Sequence, residues 1–425
     1  MLISLERLAE QRWIDASHLE HLPKDSAKVA FDEVGAAKVP LLREAARNFL
    51  QYAPVGLQET FQEFCRIQGW WLEEFVLFEA LHERYKSGWN HWPQELARRN
   101  TNALEQARSE LATELSIRRV IQFAFFEQWK SLRSYCAQRK VSILGDVAIF
   151  VNHDSADVWT HPELFHLKDD LSPDLVSGVP PDLFSDKGQR WGNPLYRWDV
   201  IKATGYAWWV QRMRGALQMC DYIRLDHFIG FTRYWEIPAH YPDAINGRWM
   251  PGPGEDLFIA LYDALGNLPF IAEDLGVITP EVIALRKKLG LPGMRILQFA
   301  FGNKENHFNL PLNYEKNCVV YTGTHDNDTT EGWWNTASPA DRHEALALFG
   351  KHPEGFHWAL IRAACGSVAN LCVFPMQDVL GLGGDARMNF PSHAEGNWGW
   401  RFTWEMLPKE LVERLADLTY FTDRD

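Results

Sequence analysis

Near residue 140 the spacing of apolar positions along the chain changes. Before it, VPLLREAARNFLQYA, GLQETFQEFCRIQGWWLEEFVLFEALHERY and PQELARRNTNALEQARSELATELSIRRVIQFAFFEQWKSLRSYCAQR repeat apolar residues every three or four positions, which predicts helices. No short β-branched run bounded by turn residues stands among them. Residues 1–140 therefore read as a helical lobe. Beyond it, short apolar runs alternate with helical segments, the pattern of βα units around a parallel sheet. The predicted strands are VSILGDVAIFV (141–151), DYIRLD (221–226), LPFIAED (268–274), MRILQFAF (294–301), CVVYTG (318–323) and LCVFPM (371–376).

Caps support the helices between these strands. In ITPEVIALRKKLG, Thr279 is placed as N-cap, Pro280 at the first helical position and Gly290 just past the end. SPADRHEALALFG repeats the device with Ser338 and Pro339. Two Pro/Gly-rich stretches, 177–198 and 239–254, read as long loops, and loops of that length in a compact domain are usually functional. The fold class expected is α/β, a (β/α)8 TIM-type barrel with a helical insertion lobe, residues 141–425 carrying the barrel portion. Such a barrel needs eight strands and six are visible, so either two are missed or the chain begins inside the barrel.

Composition narrows the partners. A formal net charge of -13 opposes nucleic acid or an anionic membrane surface and leaves a neutral substrate unopposed. The six cysteines show no C-x-x-C pair and no zinc-like spacing with His. Several lie in apolar runs, as buried free thiols do, which points to a reducing, cytoplasmic compartment. The N-terminus MLISLERLAEQRW lacks the pattern of a secretory signal. No apolar run is long enough to span a membrane. GDVAIFVNHD lacks the Gly spacing of a phosphate loop, and no metal cluster is visible, so no cofactor and no metal are expected.

Three carboxylates stand at predicted strand ends: Asp226 closes DYIRLD, Glu273 lies near the end of LPFIAED, and Asp326 follows CVVYTGTH. Strand ends of one polarity share one face in a parallel barrel, and active sites form there. Alternation puts Tyr222, Arg224 and Asp226 on one side of their strand, so Arg224 is expected beside Asp226, holding it ionised. Retaining cleavage of a glycosidic bond needs one carboxylate to attack and one protonated carboxyl to donate, roughly 5–5.5 Å apart. A third carboxylate favours the oxocarbenium-like transition state. A single acid at a strand end is usually solvated or caps a helix; it is the three together, with an inward Arg, that point to catalysis.

The segments GDVAIFVNHDSADVW, GVPPDLFSDKGQRWGNPLYRW, RLDHFIGF, YWEIP, IAEDLGVITPEV, GMRILQFAF, YTGTHDNDT and ARMNFPSHAEGNWGWR, in this order, resemble the 4-alpha-glucanotransferases of the amylomaltase type. The resemblance implies transfer of α-1,4-glucan segments between maltooligosaccharides. It makes Asp226 the nucleophile, Glu273 the acid and then base, and Asp326 the transition-state stabiliser. Asp146, Arg224 and His325 match positions around the same subsite, and Trp249 matches an aromatic of the substrate-covering loop. Trp191 and Asn193 are further candidates for sugar contacts, with loop packing the alternative for Trp191. Full-length relatives begin with a segment that supplies the first two barrel strands. MLISLERLAE resembles the point just after it, which implies a truncated start and an isolated chain of poor activity. An α-glucan hydrolase and a non-catalytic glucan-binding remnant stay open as alternatives, and oligomeric state is not legible.

Overall fold

The computed structural model describes residues 2–23, 28–181, 185–276, 278–302, 308–391, 393 and 395–424. Contacts divide the chain into two units, residues 1–23 with 32–269 and residues 24–31 with 270–425.

The first unit opens with helices. Ser4 caps Leu5–Glu10 by accepting from the Arg7 N–H, and longer helices follow at Phe31–Tyr52, Val55–Tyr85 and Ala112–Gln138. The break between the first two of these long helices falls at Ala53–Pro54, where Pro54, in an extended conformation, is the N-cap of the second; Pro40 is accommodated inside the first. The third apolar run is divided into Gln94–Ala97, Thr101–Glu110 and Ala112–Gln138, and the last of these breaks, around Leu111, has neither Pro nor Gly to mark it. Burial drives the packing. Trp13 and Phe49 lie with ring centroids 4.5 Å apart, and Phe49 and Phe123 5.7 Å apart, all three buried. Beside this core the Val55–Tyr85 helix presents Glu73, Glu74, Glu79 and Glu83. They pair with Arg119, with Arg99 and Arg108, with Arg118, and with Arg118 and Arg43 respectively. Such half-exposed pairs add little stability individually, so the aromatic core holds the helices and the charges bias their register.

Among the described residues, no strand precedes Leu144. In chain order the strands of the first unit are β1 (Leu144–Val147), β2 (Leu175–Val179), β3 (Gln189–Pro194), β4 (Tyr222–Leu225), β5 (Arg233–Pro238) and β6 (Arg248–Pro251). β1 and β4 are parallel, with Asp146 level with Arg224. The stretches expected as loops, 177–198 and 239–254, instead carry β3, β6 and most of β2. With β5 these form an antiparallel sheet in the order β3-β2-β5-β6. Cross-strand aromatics explain the difference. Trp235 and Trp249 are directly paired, their rings edge-to-face at 5.3 Å, and the Trp235 indole N–H donates to the Ala244 carbonyl. Gly247 must be glycine there, since a Cβ would lie 2.2 Å from the Trp235 Nε1.

The second unit has parallel strands in the order β7 (Phe270–Ala272), β8 (Gly293–Ile296), β9 (Cys318–Tyr321) and β10 (Leu371–Val373). Helix Pro280–Lys288 joins β7 to β8, and three helices between Thr330 and Cys365 join β9 to β10. Thr279 occupies the N-cap by backbone geometry without a side-chain bond, whereas the Ser338 hydroxyl accepts from the Asp341 N–H. β7, β8 and β9 are buried at every residue, as strands covered on both faces by crossover helices are, whereas β10 leaves Leu371 exposed. All six strands read from apolar runs are thus present, each shorter than its run, and 297–300 is a 3-10 turn rather than strand.

Candidate active site

Asp226 directly follows β4, where Arg224 is held between two acids. One guanidinium nitrogen of Arg224, Nη1, stands 2.7 Å from Asp146 Oδ2 and 3.0 Å from Asp226 Oδ1. Asp146 reaches it from the neighbouring strand because β1 and β4 are in register at that level. The Arg224 side chain is buried while both carboxylates remain partly exposed, so the cation fixes the acids from beneath and leaves oxygens accessible. The Asp226 amide also donates to the Val147 carbonyl at 3.0 Å.

His227, next in the chain, adopts a left-handed backbone (φ 49°). Its ring meets Trp191 of β3 edge-to-face at 4.8 Å, and burial of its Nε2 lowers the imidazole to about 4. Trp191 is 39% exposed, which leaves a ring face available beside this contact. Asn193, two residues on, lies 3.5 Å from the Ser177 hydroxyl. Trp249 stands on β6 at the opposite edge of the antiparallel sheet. There the Arg233 guanidinium covers its ring at 4.2 Å. It is on a strand, not in the loop expected from sequence.

In the second unit Glu273 and Asp326 follow β7 and β9, parallel strands of one sheet, and therefore leave it at the same, C-terminal, end. Glu273 is half-buried. Asp326 belongs to a tightly tied loop. Asn389 Nδ2 donates to its Oδ1 at 2.6 Å, Arg387 donates to its carbonyl at 2.6 Å, and the Asn389 amide donates to the His325 carbonyl at 3.1 Å. His325 Nε2 is 3.4 Å from Asp326 Oδ2, and its ring packs on Trp398 at 5.2 Å. The base of this loop is clamped by buried Asp378. Its carboxylate accepts from the Thr322 hydroxyl at 2.5 Å and from the Thr330 amide and hydroxyl at 2.6 and 2.8 Å. Burial raises the Asp378 carboxyl above its usual range, opposed by these hydrogen bonds.

Residues 1–407 match the family model described as 4-alpha-glucanotransferase. The chain belongs to the 4-alpha-glucanotransferases. It is 46% identical over 424 residues to that enzyme from Synechocystis sp., covering 98% of this chain and 84% of the relative. It is likewise 46% identical over 433 residues to the Thermus thermophilus enzyme, covering 100% and 86%. Its structure is similar to that of an amylomaltase from Streptococcus agalactiae, solved in complex with acarbose, with a TM-score of 0.96 at 34% identity. That likeness covers 100% of this chain and 86% of the other. The fold is accordingly the TIM-type α/β fold of amylomaltases.

Within this 4-alpha-glucanotransferase the sequence-predicted residues form local groups: Asp146, Arg224 and Asp226 in one, His325 and Asp326 in another, Trp191 against His227. Sequence reading gave no role to Asn389, Arg387, Asp378 or His227. Asn389 and Arg387 sit inside ARMNFPSHAEGNWGWR, a motif that carries the family resemblance, but an irregular polar segment offers no period from which their contact with Asp326 could be read. Among the described residues, no group of three His, Cys, Asp or Glu is arranged to hold a metal ion. None of the described helices is long and apolar enough to cross a membrane.

Proposed function

We propose that this 4-alpha-glucanotransferase moves α-1,4-glucan segments between maltooligosaccharides by a retaining double displacement. An Asp226 oxygen attacks the anomeric carbon of the donor. The bond to the leaving 4-oxygen breaks as Glu273 gives that oxygen its proton, leaving a covalent glucosyl-Asp226. The 4-hydroxyl of an acceptor glucan or glucose then attacks the same carbon, Glu273 takes its proton, and the bond to Asp226 breaks. Asp326 steadies the cationic transition state and accepts from hydroxyls of the reacting sugar. Asp146, Arg224, His325, Trp249, Trp191 and Asn193 contribute substrate contacts.

The observation that carries this reading is the Arg224 guanidinium fixed between Asp146 and Asp226 at the end of β4. A nucleophilic carboxylate must not rotate away from its target, and the buried guanidinium shared with Asp146 holds Asp226 in place. The relative solved with acarbose supports a sugar oligomer as ligand. The test is incubation of the purified chain with maltotriose, with chromatography of the products and Asp226→Asn as control. Glucose together with maltopentaose and longer oligomers, absent in the variant, is the expected result. Products only shorter than maltotriose would overturn the assignment of transfer.

A further inference from the structure

Beside Glu273 lies a buried charge cluster to which the reaction above assigns no part. The Asp274 carboxylate accepts from the Met294 amide at 2.7 Å through Oδ1, and its Oδ2 lies 3.1 Å from Arg286 Nε. Arg295 Nη1 stands 3.6 Å from Oδ1 and donates to the Met294 carbonyl at 2.5 Å. Arg286 is fastened in turn, by the Leu291 carbonyl at 3.1 Å and by Glu315 at 3.2 Å. Asp274 and Arg286 are each only 2% exposed and Arg295 8%. A carboxylate and two guanidiniums so deeply buried are costly to desolvate, and a similar volume of apolar side chains would serve stability at least as well. The cluster invites a reason beyond stability.

The backbone supplies one. The Asp274 amide donates to the Ala272 carbonyl at 3.0 Å, closing a three-residue turn with Glu273 as its central residue. Ala272, on one side of the apex, is fully buried and bonded through its amide to the Pro292 carbonyl at 2.9 Å. Asp274, on the other side, is locked by β8 and by Arg286 from the helix Pro280–Lys288. Gly293 keeps the space open: a Cβ there would stand 2.4 Å from Asp274 Oδ2.

The geometry points to Asp274 as a positioning residue for Glu273: by fixing one end of the turn it sets where the acid meets the leaving oxygen. The inference rests on the acid role of Glu273. A displacement of about 1 Å in a reacting group costs on the order of 100-fold in rate, so a rigid turn matters to the proton transfer and not to steps that need no proton.

That distinction gives the test. Maltotriose needs a protonated leaving group, whereas fluoride leaves α-maltosyl fluoride without one. The full chain and the variants Glu273→Gln, Asp274→Asn and Gly293→Ala are compared in maltotriose turnover and in single-turnover fluoride release, which reports the first displacement alone. Asp274→Asn keeps an acceptor for the Met294 amide but discards the charge. Gly293→Ala keeps the charge and pushes the carboxylate aside, so it decides the matter if the first variant folds poorly. The expected result is a loss of maltotriose turnover on the order of 100-fold in both, with fluoride release close to that of the unsubstituted chain. Equal losses on both donors, or no loss on either, would overturn the positioning role. Equal losses on both donors for Glu273→Gln would instead overturn the acid assignment on which it rests.

Discussion

His227 offers a direct check on how the polypeptide behind Asp226 is built. Burial holds its imidazole at about 4 in the folded chain, against about 6.5 for an exposed histidine. The unfolded chain therefore takes up the proton first as pH falls. The stabilising contribution of the neutral ring is complete above about pH 6.5, declines as pH drops from there towards about 4, and does not change further below that. At about 1.36 kcal/mol per pH unit, lowering pH from 7.5 to 5.0 removes about 2 kcal/mol through this residue. The variant of choice is His227→Asn, because the backbone there is left-handed (φ 49°) and asparagine tolerates that region better than most residues. Urea unfolding of both proteins at the two pH values gives the measurement. Burial also lowers His153, His166 and His352, so the unsubstituted chain will weaken for several reasons. The difference between the two proteins cancels those. That difference should shrink by about 2 kcal/mol between pH 7.5 and 5.0. A difference that does not move with pH would refute the reasoning and mean that the folded chain protonates His227 as readily as the unfolded one.

Two further outcomes are expected. Asn389→Ala removes the 2.6 Å hydrogen bond to Asp326 Oδ1, and hydrogen bonds to charged groups are worth about 1.5–3 kcal/mol, so kcat/KM for maltotriose should fall about 10- to 100-fold. Steady-state kinetics would show it, and an unchanged kcat/KM would mean that Asn389 does not orient Asp326. Asp378→Ala strips the acceptor from the Thr322 hydroxyl and the Thr330 amide, both buried, at about 1–3 kcal/mol each. A clear drop in Tm is expected, with Asp378→Asn losing less; a Tm within error of the unsubstituted chain would contradict the clamp.

What sequence made legible was local. Apolar runs gave six strands, most directly β7, β8 and β9, which are buried at every residue, and three- and four-residue spacing gave the long helices. The contact of Arg224 with Asp226 was readable because two residues on one strand share a side. Contacts across the chain were not readable. Asn389 reaches Asp326 over 63 positions and Asp378 reaches Thr322 over 56, with no periodic signal to join them. The antiparallel sheet was hidden because its strands are short and set among Pro and Gly, and the Trp235–Trp249 pair that holds two of them exists only once they meet. His325 was placed by resemblance alone, and the structure adds a contact no alternation could have given: Trp398, 73 positions away, packed on its ring.

That antiparallel sheet constrains how the region can change over evolutionary time. A loop accepts insertions of any length, but β6 is paired residue by residue with β5, from Arg233–Pro251 to Glu236–Arg248. One residue inserted just before Arg248 would turn the Trp249 indole to the other face of the sheet and bring Arg248 into its place, whereas two would restore the face. Length variation tolerated here should come in even steps, or be absorbed in the turn between the strands. Anyone reshaping the surface around Trp249 should count positions along the strand rather than lengthen or shorten a loop.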